Sequence, residues 1–151
     1  ARRRAANLLG ELAHAGAREG EVQSALAAAL HDQEWFVRAE AARALGARAS
    51  RSRETGAAQS ALEQALGDQD PTVAASAAEG LGALEDPRTV PALIGALERA
   101  AREGHLGLFH AAETALARAS GEPAQRDLAG WRRWWSDHGE GIQAGSAGGP
   151  G

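Results

Sequence analysis

Four stretches of this chain read alike and stand almost one period apart: AANLLGELA around Leu9, AARALGARA around Leu45, AAEGLGALE around Leu81 and AAETALARA around Leu116. The intervals are 36, 36 and 35 residues. A second set moves with them, since Leu26 and Leu30 precede Leu62 and Leu66 by 36 residues, and these precede Leu93 and Leu97 by 31. Between Leu26 and Gly46 and between Leu62 and Gly82 the chain aligns with itself without a gap, including the Asp32/Asp68 and Val37/Val73 columns. A period of this length means a repeated supersecondary unit that buries its apolar face only against its neighbours.

Each unit reads as two helices. Val22, Leu26 and Leu30 recur every four residues, while Val37, Ala41, Ala44 and Leu45 follow i, i+4, i+7 and i+8, the spacing of one helical face. Short polar turns separate them. Asp70 before Pro71 is a cap residue followed by a proline at the first helical position, and Asp86, Pro87, Thr89 and Pro91 open a further helix. No segment alternates apolar and polar over the length of a strand. The pattern predicts helices near 2–14, 20–30, 35–48, 56–67, 71–84, 89–103, 107–119 and 127–138. With 38 alanines but only four tryptophans and two phenylalanines, such helices pack closely around few large anchors.

Composition narrows the chemistry. All 16 basic residues are arginine, and the lack of lysine, tyrosine and methionine beside abundant alanine and glycine is the profile of a high-GC bacterial genome. The zero cysteine count excludes disulfides, thiolate metal sites and a cysteine nucleophile. Apolar runs are too short for a membrane span. A chain without methionine is expected to be a piece of a longer protein, its first helix lacking an upstream partner.

The run from Leu30 to Gly46, LxDxxxxVRxxAAxALG, resembles the short HEAT-like repeats of bacterial proteins, including those first recognised in phycobilisome lyases. The second unit, Leu66 to Gly82, keeps the leucine, aspartate, valine and closing AAxxLG but has Ala74 where the first has Arg38. The third carries the extra residues AREG and lacks the aspartate. The resemblance implies an all-α, right-handed α-solenoid of stacked antiparallel helix pairs: about three and a half repeats over 1–120, a linker with a tryptophan-rich capping helix over 121–138, and a disordered tail over 139–151. It also implies that Asp32 and Arg38 belong to an inter-repeat ladder.

Chemical motifs are scarce. The five histidines are scattered and none forms the His-Glu dipeptide with which HEAT-repeat hydroxylases hold iron. His110 and Glu113 share a helix face but supply two ligands at most, fewer than a protein metal site needs. No catalytic residue, cofactor site or metal site is therefore assigned. Trp131, Trp134 and Trp135 are expected to bury against the last repeat rather than form an aromatic cage. Residues 1–53 carry a net charge of +3 and residues 54–151 one of −7, so a field runs along the array that can orient a partner. That overall balance disfavours nucleic acid despite the arginines of residues 2–4 and 48–53. The expected function is a non-catalytic protein-binding scaffold within a larger protein, with a bilin lyase/isomerase subunit as the alternative that the family resemblance brings. If second helices line the inner surface, the columns facing a protein partner include Arg3, Arg4 and Asn7, then Glu40 and Arg43, then Ser76 and Glu79, then His110.

Overall fold

The structure, a computed structural model, describes residues 18–52, 55–123 and 127–147. Seven α-helices and no strand occur among them: α1 (Glu19–Ala29), α2 (Trp35–Ala49), α3 (Gly56–Ala65), α4 (Pro71–Leu84), α5 (Val90–Glu103), α6 (Leu106–Ser120) and α7 (Leu128–Ala147). A short 3-10 turn, Pro87–Thr89, leads into α5. The helix expected at 2–14 lies outside the described residues.

Local chemistry sets the boundaries. In the α1–α2 turn the Asp32 carboxylate accepts the Glu34 amide at 2.9 Å, and one repeat later Asp68 accepts the Asp70 amide at 2.9 Å. Asp70 then caps α4 by accepting the Thr72 amide at 2.8 Å, with Pro71 spending no amide at the first position. Helices α5 and α6 end on Gly104 and Gly121, both left-handed at φ 74° and 75°, a conformation that costs glycine nothing.

Two layers follow from the packing. Helices α2, α4 and α6 contact one another in sequence, α1, α3, α5 and α7 lie along their other side, and each unit pairs α1 with α2, α3 with α4 and α5 with α6. Glycines permit the tightest of these contacts. A Cβ on Gly46 of α2 would stand 2.2 Å from the Gly80 Cα of α4, and one on Gly82 of α4 would stand 3.0 Å from the Ala115 Cα of α6. The glycine after the repeated leucine thus marks where the next second helix crosses. Leu26, Leu45, Leu62, Leu81, Leu93, Leu97 and Leu116 form the spine of one continuous core at no more than 1 % exposure.

The extra residues of the third unit are helical, as the pattern predicts: α5 runs on to Glu103, ten residues past Leu93, whereas α1 and α3 stop three past Leu26 and Leu62. One expectation needs correction. The tail expected from residue 139 is helical through Ala147, with residues 148–151 outside the described set. Its glycine-rich composition suggested disorder, yet Gly139 lies under Trp135, where a Cβ would come within 2.7 Å of the ring, and Ile142 packs on the core. Those two contacts carry α7 past the tryptophans. Trp131 and Trp134 are buried at 0 % and 6 % exposure and Trp135 is half-buried, so the first two rings present no open face to a ligand.

Candidate functional site

The outward row of the second helices is built by the same repeat that builds the core. Arg43 of α2 and Glu79 of α4 stand 36 positions apart, and their side chains meet, Arg43 Nε donating to Glu79 Oε2 at 3.3 Å. Arg43 Nη1 also donates to Glu40 Oε2, one helical turn back, at 3.2 Å. All three remain about half exposed, at 56 %, 53 % and 42 % of their side-chain surfaces. Pairs this open contribute only ~0–1 kcal/mol to the fold, so their charges are available to another molecule. Farther along the layer Glu85 pairs with Arg118 at 3.3 Å, again across α4 and α6. His110 faces Glu113 at 3.6 Å on α6 with its ring 65 % exposed, a surface contact.

The structure therefore brings Glu40, Arg43 and Glu79 into one cluster and leaves His110 separately exposed. Ser76 departs from the expectation: it is buried at 3 % exposure. Residues 76 and 80 are one turn apart on the same face of α4, and Gly80 is the point pressed against α2, so the helix crossing covers the serine. Arg3, Arg4 and Asn7 lie outside the described residues.

A second polar cluster holds the turns together. Arg38 forks onto Asp68 of the next turn, Nε to Oδ2 at 2.8 Å and Nη2 to Oδ1 at 3.0 Å, and its Nη1 donates to the Asp32 and Gln33 carbonyls at 2.9 and 3.1 Å. The ladder thus runs from Arg38 to the carboxylate of the following repeat and uses only the backbone oxygen of Asp32. Where Ala74 leaves the second turn without its arginine, Arg99 of α5 arrives instead, donating to the Leu66 and Gln69 carbonyls at 3.1 and 3.4 Å. Sequence reasoning missed Arg99. The signal was present: at the 31-residue offset, Arg99 occupies the column that holds Asp68.

Burial pushes the Asp68 carboxyl up, but the hydrogen bonds from Arg38 and the Asp70 amide, with the charges of Arg38 and Arg99, outweigh it and hold Asp68 below the usual range. The hydrogen bond to Asp68 in turn raises the Arg38 guanidinium against the cost of burial. A depressed carboxyl stabilises the fold fully above its unfolded value near ~3.9 and loses that contribution as pH falls from there through the lower folded value. Acid titration of Asp68→Asn should accordingly show a shallower fall in stability below about pH 4 than the parent chain. At neutral pH the same substitution should cost about 1.5–3 kcal/mol, the range for hydrogen bonds to a charged group, with equal slopes below pH 4 contradicting the assignment.

Neither layer gathers three or more metal-ligating side chains among the described residues, and no described helix is long and apolar enough to cross a membrane. A hollow of about 440 Å³ opens between α1, α3 and the end of α2, lined by Gln23, Ser24, Ala27, Leu45 and Ala58 among others. The family model for HEAT repeats matches residues 24–106, more than half of the chain. The chain belongs to the HEAT-repeat family. Its HEAT match begins within α1 and ends at the first residue of α6, so it spans the two gapless units and the elongated α5. No curated protein matches the chain.

Proposed function

We propose that this HEAT segment is a non-catalytic scaffold that binds protein through the exposed row of its second helices. In this reading the two layers are those of a right-handed solenoid with α2, α4 and α6 on the inner surface, and α7 caps the first-helix layer. The observation that carries the proposal is the Arg43–Glu79 pair: two half-exposed charges at equivalent positions of adjacent units, bridging the helices while the residues behind them are committed to packing. The strip's mixed signs, Arg43 between Glu40 and Glu79, suit a protein surface better than the uniform charge of a polyanion.

Charge reversal at both positions, Arg43→Glu with Glu79→Arg, keeps a possible ion pair between them and removes no buried contact. Helix content and unfolding midpoint should stay within the small range of exposed pairs, about 0–1 kcal/mol, while capture of a partner from lysate of the source organism weakens. Reversal of Arg18 and Glu63, on the first-helix layer, serves as control. Equal losses from both double variants would remove the second-helix row as the binding face, and turnover by the purified chain would end the non-catalytic reading.

A further inference from the structure

The two large apolar side chains most exposed among the described residues are Trp35, at 47 %, and Leu106, at 69 %. They are not scattered. Each is the first residue of a second helix and each stands two positions before a buried column residue, Val37 and Leu108. Pro71, two before Val73, holds the same place in the helix between them. Because α2, α4 and α6 are consecutive neighbours, the three side chains form a row along the edge where the turns lie, away from the Arg43–Glu79 strip. Helix neighbours sit about 8–10 Å apart, which puts Trp35 and Leu106 about 16–20 Å apart.

The ends of this row differ in form. Trp35 offers a ring braced edge-on by Phe36, at 5.8 Å between centroids and 83°. Leu106 rims a hollow of about 270 Å³ with Ala100, Ala101, Gly104, His105 and Phe109, with room for one apolar side chain. The cap position beneath each row residue is Glu34, Asp70 and His105. Glu34 is exposed and makes no capping bond, and the guanidinium groups of Arg38 and Arg99 are committed to the turns. Along these turns Asp32, Glu34, Asp68 and Asp70 outnumber the two guanidinium groups, so between its apolar ends the row is net acidic.

We propose that this edge is a second docking surface, occupied by an extended basic peptide segment of a partner whose two apolar side chains seat on Trp35 and in the hollow beside Leu106. An extended chain advances about 3.3 Å per residue with alternate side chains on opposite faces. The span then calls for anchors six positions apart, with lysine or arginine between them facing Glu34 and Asp70. The proposal rests on the protein-binding reading for the class of its occupant, and uses a different surface.

Panning a display library of random twelve-residue peptides on the purified chain tests it. The enriched sequences should carry two large apolar residues six apart with basic residues between. Their Kd, measured by anisotropy of labelled peptides, should rise at least tenfold for Trp35→Ala, for Leu106→Ser and for Glu34→Lys, the last of which touches no packing. The Arg43→Glu/Glu79→Arg variant should bind them unchanged. Absence of an enriched motif, anchors at helical spacing, acidic intervening residues or indifference to the three substitutions would each overturn the proposal. So would self-association that Leu106→Ser abolishes, since it would assign the edge to a second copy. Peptides lost to the Arg43/Glu79 variant alone would sink the edge and leave the scaffold reading standing.

Discussion

Replacing Trp131 by alanine should lower the stability of the chain by about 3–5 kcal/mol, the cost of truncating a fully buried large aromatic side chain. The ring is at 0 % exposure, meets Trp134 edge-on at 6.5 Å and 71°, and lies in the helix that packs against α5. Half-buried Trp135 should cost less, although the spacing alone made it look the equal of Trp131. Urea unfolding of the two single variants makes the comparison, and an unchanged midpoint for Trp131→Ala would mean that α7 contributes nothing to the array. The stacked Trp134–His138 pair, at 4.6 Å between centroids, should give a near-ultraviolet dichroism signal to follow in parallel.

The next largest effect is expected at the crossing of α2 and α4. Gly46→Ala adds one methyl group, but that methyl would lie 2.2 Å from the Gly80 Cα and 2.5 Å from its carbonyl oxygen, both backbone atoms that cannot swing aside. The helices must separate, so the loss should reach or exceed the upper part of the usual overpacking range, about 1–3 kcal/mol. Gly20→Ala in α1 is the control: apart from its chain neighbours and its own helix backbone, no atom lies within 4 Å of its added methyl, and the stiffer chain should gain about 0.4–1 kcal/mol. Equal midpoints for the two variants would show that α2 and α4 do not approach through their glycines.

Much of this architecture was legible because the repeat writes the same physics several times. The leucine columns at 26/62/93 and 45/81/116 fixed both faces of every unit, and the Asp32/Asp68 column fixed the first two turns. What escaped was whatever depends on a neighbour rather than on the local pattern. Ser76 looked outward by column, but whether a residue one turn from a glycine is covered depends on how closely the next helix comes. Arg99 looked like a break in the aspartate column until the longer α5 carried it to the second turn. The tail composition read as disordered, although a glycine beneath an indole is a packing residue. Within the candidate strip, Arg43 and Glu79 could be placed in adjacent units from sequence, but their mutual ion pair could not. Trp35 and Leu106 drew no notice because one apolar residue at a helix start means little until the stack sets two of them in line.

The central claim, that a protein partner lies along the exposed second-helix row, is tested most directly by photo-crosslinking of the complex. A benzophenone amino acid placed singly at Glu40, at Glu79 or at Thr114, the exposed residue of α6 one period after Glu79, should give crosslinked partner. The same probe at Gln64 or Glu98, on the other layer or its turns, should give none. Crosslinks confined to Gln64 and Glu98 would contradict the account.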